Sequence, residues 1–185
     1  IPKSDTLIQH GYHFLHLRSR EGFERALACF QEAAAEAPQD HRAFEGQGNC
    51  HLLMASFGTR PGREMLPAFL NAYERAVALD PAFAQGWARV STASSLLYAN
   101  SIPIPELGER SRAAAEKAIG LAPLRAEGYF ALGNYYRLVS HDLGLAREQY
   151  KKGLRIAPAE SATLAASVNV EASLGLWDEA TEHSK

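Results

Sequence analysis

Apolar side chains recur along most of this chain at steps of three and four residues, the spacing of one face of an α-helix. Short polar or proline-containing links separate these stretches. The pattern predicts nine helices, at residues 6–17, 21–35, 40–56, 62–80, 83–98, 105–121, 125–140, 143–156 and 159–174. A tenth helix should begin after a turn at Gly175, and we expect no β-sheet.

The same residue pattern surrounds four prolines that lie 43, 42 and 35 residues apart: Pro38, Pro81, Pro123 and Pro158. Eight residues before each proline stand Phe30, Tyr73, Ala115 and Tyr150. Five residues before it stand Ala33, Ala76, Ala118 and Gly153. Six residues after it stand Phe44, Trp87, Tyr129 and Leu164. A pattern that returns in register is an internal repeat, and it predicts a stack of similar units. Proline ends a helix because it lacks the N–H group, so each proline should close one unit.

The fourth unit resembles a tetratricopeptide repeat most closely. The residues that match that family's pattern are Tyr129, Leu132, Gly133, Tyr136, Ala146, Tyr150 and Pro158. The resemblance covers nearly the whole chain and implies an all-α fold, a right-handed superhelical solenoid of antiparallel helix pairs with about 4.5 repeats. We expect one domain over residues 1–185, with repeats at approximately 4–38, 39–81, 82–123, 124–158 and 159–185, the last of them incomplete.

A narrower resemblance concerns the first two repeats. Gly11-Tyr12-His13, the segment from Arg18 to Phe23, and Met65-Leu66-Pro67 are similar to arrays that lie C-terminal to bacterial Ser/Thr kinase domains, nucleotide cyclases and winged-helix regulators. This resemblance implies a bacterial signalling or regulatory protein. Because the chain opens on Ile1 rather than on a methionine, we expect it to be a fragment of a longer protein that serves as its sensor or docking arm.

Composition narrows the classes of partner. The 19 basic and 21 acidic residues give a net charge of −2, whereas a nucleic-acid surface usually shows a basic excess. No apolar run approaches the roughly 20 residues that span a bilayer. The two cysteines, Cys29 and Cys50, are too few for a disulfide framework, and we expect packed free thiols in a cytoplasmic protein. The sequence therefore predicts a protein or peptide partner, with no nucleic acid and no membrane.

No catalytic motif has the required spacing. The chain lacks a glycine-rich phosphate loop, a nucleophile elbow and a zinc-protease motif, so we predict no enzyme activity in this region, no catalytic residue and no cofactor. His10, His13 and His16 are the nearest candidates for a metal site. Successive three-residue steps drift around a helix, so the first and third side chains diverge, and we predict no metal site.

The predicted site follows from the resemblance, which places the first helix of each repeat along a concave groove. The positions that should face this groove at three- and four-residue steps are Arg42, Glu45, Asn49, Leu52, Gln85, Thr92, Ser95, Glu127, Phe130, Asn134, Arg137 and Asn169. Asparagine recurs at one of them in three helices, and an amide can both donate to and accept from the backbone of an extended peptide. A structural role within the repeat explains the same recurrence equally well. If the amides bind a peptide, removing the side chains of Asn134 and Arg137 should leave stability nearly unchanged.

Two further interpretations stay open. The chain is either a non-catalytic module that binds an extended peptide, or a structural domain that self-associates as a homodimer through its C-terminal helix. The segment from Ile102 to Pro105 must be extended, because each residue before a proline is displaced from the helical region. It is either a docking strip for another chain or a stiff loop over the ends of its own helices.

Overall fold

The computed structural model describes residues 2–101 and 103–183. Within these ranges the chain forms helices and turns and no strand. The helices are α1 (Lys3–His16), α2 (Arg20–Glu36), α3 (His41–Ser56), α4 (Gly62–Leu79), α5 (Ala84–Asn100), α6 (Pro105–Leu121), α7 (Ala126–Tyr135), α8 (Leu143–Ile156), α9 (Ser161–Ser173) and α10 (Trp177–His183). The all-α prediction is confirmed, and the predicted bounds are close to the observed ones.

The helices fall into two compact units that meet in sequence between Gly86 and Trp87. In the first unit α1 packs against α2 and α3 against α4, with α2 also contacting α3. In the second unit α7 packs against α8 and α9 against α10, and the links between pairs are α6 against α7 and α8 against α9. Each unit is therefore built from helix pairs adjacent in sequence, as the repeat pattern predicts.

The four repeat prolines occupy equivalent turns. Each follows a helix whose next N–H bonds four residues back, as Ala37 N does to Ala33 O at 2.9 Å. Each is also the second residue of a four-residue turn closed by a backbone hydrogen bond of 3.0–3.2 Å; the closing bonds are Asp40 to Ala37, Phe83 to Asp80, Arg125 to Ala122 and Glu160 to Ala157. Proline favours this position because its fixed φ suits the turn. The prediction that each of these four prolines follows the end of a helix is confirmed.

The interiors of both units are formed by rings against small residues. In the first unit Phe30, Tyr73 and Phe69 are fully buried, and in the second Tyr150 is. A Cβ added at Gly46 would lie 2.2 Å from the ring of Phe30, so this helix contact requires glycine. Close packing of this kind is sensitive to volume changes as small as one methyl group.

One predicted helix differs from the structure. The sequence predicts a single α-helix over residues 125–140, but α7 ends at Tyr135 and a π-helical turn follows over Tyr136–Ser140. The turn closes with Asp142 N bonded to Tyr136 O at 2.9 Å and His141 in the left-handed region at φ 57°. The wider turn admits an extra residue and alters the direction in which its side chains leave the helix. Arg137, one of the predicted site residues, lies in this turn.

Candidate peptide-binding site

In the first unit, a tyrosine and an asparagine from paired helices form a buried contact at the predicted face of α3. Gly48 allows the ring of Tyr73 to approach, since an added Cβ would lie 2.4 Å from that ring. The Tyr73 hydroxyl then donates to Asn49 Oδ1 at 2.8 Å. Asn49 itself remains half-buried. The amide of Asn49 is thus fixed by the second helix of its own repeat.

The second unit repeats this arrangement. A Cβ added at Gly133 would lie 2.3 Å from the Tyr150 ring, and the Tyr150 hydroxyl donates to Asn134 Oδ1 at 2.8 Å. Arg137 donates from Nε to the Tyr150 hydroxyl and from its terminal nitrogen to Asn134 Oδ1, both at 3.3 Å. Burial raises the pKa of Tyr150, and the nearby Arg137 partly offsets that rise. The hydroxyl therefore stays protonated and remains a donor at neutral pH.

This contact corrects the expectation that Asn134 and Arg137 can be removed without cost. Asn134 is 4 % exposed, and its side-chain oxygen already accepts two hydrogen bonds. Its removal would leave a buried tyrosine hydroxyl without its acceptor, which costs about 1–3 kcal/mol. A structural role explains the asparagines of α3 and α7.

A sequence signal for this contact exists. Both asparagines follow a glycine, in the dipeptides Gly48-Asn49 and Gly133-Asn134, and both repeats carry tyrosine eight residues before the proline. The third repeat has Ser91-Thr92 instead, and there the tyrosine position is Ala115. In the second, third and fourth repeats the glycine, the amide and the tyrosine hydroxyl thus occur together or are absent together. The first repeat has Gly11 with Phe30 and the fifth has Asn169 after Val168, so neither the glycine nor the asparagine alone indicates the contact.

Tyr12 on α1, which lies outside the predicted set, also contacts the amide of Asn49 through a side-chain hydrogen bond. Burial, followed by the charge of Glu45, raises the pKa of Tyr12 to about 12. Tyr12 therefore presents a neutral phenol beside the fixed amide. Its ring packs edge-on against Phe30, with 5.1 Å between the two centroids.

The charged side chains of the predicted set are engaged within the protein. The Arg42 guanidinium contacts Asp5 at 2.7 Å and Asp40 at 2.6 Å. Glu127 accepts from Arg125 at 2.7 Å, and this bond lowers the pKa of Glu127. A partner of mixed charge would have to compete with these pairs, so the charges contribute less to binding than free groups would.

Two of the three predicted residues of α5 are buried. Thr92 is 8 % exposed and bonds its own helix through Ala88 O, and Ser95 is fully buried. The Ser95 hydroxyl lies 2.6 Å from that of Ser111 on α6, which also donates to Ser91 O at 3.1 Å. Ser95 thus joins two helices of the second unit and presents no surface to a partner. Gln85 lies in the first unit and is half-buried.

Besides Gln85, three predicted side chains keep some exposed surface and have no side-chain hydrogen bond or ion pair among the described residues. Leu52 on α3 and Phe130 on α7 are half-buried apolar groups, and Phe130 packs 6.1 Å from the Tyr150 ring. Asn169 on α9 is exposed, and its amide has no partner among the residues that the structure describes. Only Asn169 of the three recurring asparagines therefore has both amide atoms free for a ligand.

The thiols and histidines are placed as follows. Both cysteines are free, with Cys50 buried and Cys29 half-buried, and burial raises the pKa of Cys50 to about 12. His10, His13 and His16 all lie on α1, and all three are exposed. Over residues 2–101 and 103–183, no group of three or more His, Cys, Asp or Glu side chains is arranged to hold a metal ion. In the same ranges, every helix is too short or too polar to cross a membrane.

The proline loop is described only in part, since Ile102 lies outside the described residues. Pro103, Ile104 and Pro105 are exposed, and Ile104 is extended at φ −91° and ψ 142°. Pro105 is the first residue of α6, a position where its missing N–H costs no helix hydrogen bond. A docking role for residues 102–105 stays a prediction.

Solved structures place this fold among tetratricopeptide-repeat proteins. A thermophilic TPR protein of Thermus thermophilus is 20 % identical over 97 % of this chain and 87 % of its own, with a TM-score of 0.77. PilF of Pseudomonas aeruginosa is 17 % identical over 98 % of this chain and 73 % of its own, with a TM-score of 0.67. YrrB, described as a TPR protein with an unusual peptide-binding site, is 18 % identical over 88 % and 75 %, with a TM-score of 0.53.

No protein-family model and no curated protein matches the sequence. At these identities the structural matches establish the fold: the chain has the helix-pair fold of a tetratricopeptide-repeat domain.

Proposed function

We propose that this domain is a non-catalytic protein-interaction module whose first-helix faces bind an extended segment of a partner protein. The observation that carries the proposal is the pairing of an oriented amide with a half-buried apolar side chain on one helix. Asn49 lies one turn before Leu52 in the first unit, and Asn134 lies one turn after Phe130 in the second. YrrB, which is described as a TPR protein with an unusual peptide-binding site, supports such a use of the fold.

The tyrosine contacts suggest how these amides would act. Because Tyr73 and Tyr150 occupy Oδ1 of the two asparagines, the group of each amide that could donate to a ligand is its NH₂. The Asn49 amide also contacts Tyr12, and Asn134 is 4 % exposed, so a partner would compete with Tyr12 at the first amide and reach only the small exposed part of the second. A fixed donor suits the backbone carbonyl of an extended peptide and is indifferent to that peptide's sequence. Leu52 or Phe130 would then supply apolar contact with one side chain, worth about 25 cal/mol per Å² of apolar area buried.

Asn169 is the proposed site residue of α9. Its free amide can donate to one backbone group and accept from another, unlike the two oriented amides. Of the other predicted residues, Arg42, Glu45, Glu127 and Arg137 would serve as rim groups, because they keep intramolecular partners. Rim charges influence the rate of association more than the final affinity.

Site-specific photocrosslinking tests this function. A benzophenone amino acid is placed at Leu52, at Asn169 or, as the control, at Glu116, which is exposed on α6. Crosslinking in cell extract, followed by mass spectrometry, should join Leu52 and Asn169 to one short segment of a second protein and leave Glu116 without that product. Crosslinks to the segment from Glu116 alone would refute the proposed face.

Self-association is the second candidate, and one observation favours it. Trp177 on α10 is 67 % exposed and Leu174 before it is 42 % exposed, an unusual display of apolar area at the end of the second unit. Sedimentation equilibrium of the wild type and of Trp177→Ser decides the matter. A dimer that Trp177→Ser dissociates would support the homodimer, whereas a monomeric wild type would exclude it.

The biological setting we propose is a cytoplasmic bacterial signalling or regulatory protein in which this domain acts as the sensor or docking arm. The resemblance of its first repeats to arrays beside kinases, cyclases and winged-helix regulators supports this setting. Identification of the crosslinked partner tests it directly: a component of a signalling or transcription complex would agree with it, and a partner of unrelated function would not.

A further inference from the structure

A cleft lies between α8 and α9, beside a repeat position that has an aromatic ring in the three preceding repeats but not here. Six residues after the repeat proline stand Phe44, Trp87 and Tyr129, but the fourth such residue is Leu164. The cleft measures about 310 Å³ and is lined by Lys151, Leu154, Arg155, Pro158 and Leu164. All five residues belong to the second unit, so the cleft lies within one compact body.

The equivalent position one repeat earlier shows what fills this space when a ring is present. The Tyr129 hydroxyl donates to Pro123 O at 3.1 Å, which lays the ring along the turn that precedes α7. Leu164 stands in the same relation to Pro158, but a leucine is shorter than a tyrosine and cannot reach along the turn. We infer that the cleft beside Leu154, Pro158 and Leu164 is left open because this repeat has no ring at the position of Leu164.

The size of the cleft suits an aromatic side chain from outside. An apolar cavity of about 150 Å³ is enough to hold a benzene molecule, and this cleft is larger. Its lining is largely apolar, from Leu154, Pro158 and Leu164, and the exposed Arg155 and the half-buried Lys151 complete it. An inserted ring would be covered on one face and leave its flanking residues at the rim.

The rim of the cleft is cationic. Among the described residues Arg155 has no ion-pair or hydrogen-bond partner, and Lys151 shares the Glu179 carboxylate with Arg147. The acidic groups nearby are engaged: Glu179 with those two cations, and Glu160 with Thr163 N at 2.6 Å as the cap of α9. Carboxylates that flank an inserted ring would meet Arg155 directly and complement the rim.

We propose that the cleft between α8 and α9 is a second binding surface, which takes an aromatic side chain within an acidic segment of another protein. The surface differs from the first-helix faces, because Lys151, Leu154 and Arg155 belong to α8, the second helix of the fourth repeat. Only Leu164 comes from α9, the first helix of the last repeat. On this proposal the domain has two binding surfaces. One binds the backbone of an extended peptide, and the other binds one aromatic side chain that has acidic residues on either side of it.

A peptide titration tests this proposal. The probe is a capped synthetic peptide with one central phenylalanine between glutamates, and its affinity for the domain is measured by isothermal titration calorimetry. Replacing the phenylalanine with alanine should weaken binding about tenfold or more, because the cleft would lose its occupant, a change equal to about 1.4 kcal/mol. Saturable binding of the first peptide only is the expected result, and no binding at about 1 mM would overturn the proposal.

Variants of the domain locate the binding site. Leu164→Tyr should fill the cleft in the manner of Tyr129 and weaken binding of the phenylalanine peptide about tenfold or more. Arg155→Glu should weaken it to a similar degree, and because Arg155 is exposed this change leaves the core intact. The matched control is Arg63→Glu, an equal charge reversal on the surface of the first unit, and it should change affinity less than about twofold.

Each outcome decides the question. Melting curves confirm that Leu164→Tyr is folded, and if it is not, Arg155→Glu carries the test alone. Peptide that binds wild type, Leu164→Tyr and Arg155→Glu equally well would overturn the proposal and place the site elsewhere. Loss of binding in Arg155→Glu and also in Arg63→Glu would show an unspecific attraction between the acidic peptide and the basic side chains, and would overturn it as well.

Discussion

The Tyr150 hydroxyl donates a 2.8 Å hydrogen bond to Asn134 Oδ1 across sixteen residues of sequence, and the first unit contains the same bond between Tyr73 and Asn49. In both places a glycine next to the asparagine admits the ring. The two contacts have a double consequence. They hold the two helices of a repeat together, and they fix the orientation of an amide on the face that we propose for binding.

The energy of this contact can be measured by a double-mutant cycle. Tyr150→Phe should cost about 0.5–1.5 kcal/mol, the worth of one hydrogen bond. Asn134→Ala should cost more, about 1–3 kcal/mol, because it leaves the buried hydroxyl without its acceptor. The double variant should cost less than the sum of the two, since the residues are in contact. Urea unfolding of the four proteins provides the free energies.

Asn169→Ala is the control for this cycle. The same amide is removed at the equivalent repeat position, but Asn169 is exposed, so stability should change by less than about 0.5 kcal/mol. Strict additivity of Tyr150→Phe and Asn134→Ala would show that the hydrogen bond contributes nothing to stability.

The sequence predicts those features of the fold that local chemistry determines. Four prolines in register predict four equivalent turns, and the turns are found with the same hydrogen bonds. The bounds of α6 and α8 are as predicted, because each begins at a clear signal, Pro105 or the residue after Asp142. These features depend on residues that are close in sequence, and the repeat places the same residues at equivalent positions.

The missed features depend on pairs of residues that are distant in sequence. That Asn134 is structural follows only from the position of Tyr150, and the burial of Ser95 only from that of Ser111. The π-helical turn at Tyr136–Ser140 contains no proline or glycine that would mark the end of a helix. The helical spacing of apolar residues continues through it, so the sequence predicts an uninterrupted α-helix. The sequence therefore predicts the site as a set of helix positions, without the contacts that decide which of them are free.

Substitution of glycine tests the close approach of ring and helix. Gly133→Ala places a Cβ 2.3 Å from the Tyr150 ring, so the ring or the helix must move, and we expect a loss of about 1–3 kcal/mol. Gly120→Ala is the matched control within a helix, where an added Cβ meets nothing within 4 Å. It should stabilise by about 0.5–1 kcal/mol, because alanine loses less backbone entropy than glycine. Thermal melts of both variants suffice, and equal effects would contradict the packing.

The thiols should differ in reactivity. Cys50 is fully buried with a pKa raised to about 12, whereas Cys29 is half-buried. The thiolate is the species that reacts, so at about pH 8 iodoacetamide should modify Cys29 first and Cys50 only when the protein unfolds. Mass spectrometry of digests taken over time, with and without urea, measures both rates. Native Cys50 that reacts as fast as unfolded Cys50 would mean that its helix opens readily.

Acid should weaken the first unit through Asp40. The hydrogen bond from Arg42 lowers the pKa of this carboxyl below its usual 3.8. A lowered pKa in the folded state contributes stability above the unfolded-state value, and this contribution is lost as the pH falls through the folded-state value. Asp40→Asn keeps a helix-capping side chain but removes the charge. The difference in unfolding free energy between wild type and this variant should therefore be largest near about pH 6 and shrink below about pH 4.

The pH series needs a carboxylate that lacks such a partner. Glu148 is exposed on α8 and has no ion pair among the described residues, so Glu148→Gln serves as the control for the loss of one surface charge. Urea unfolding at about pH 3, 4, 5 and 6 compares the three proteins. An Asp40→Asn difference that stays constant over this range would mean that Asp40 and Arg42 do not interact in the folded protein. A difference that grows as the pH falls would reverse the sign of the coupling and contradict the contact at 2.6 Å between them.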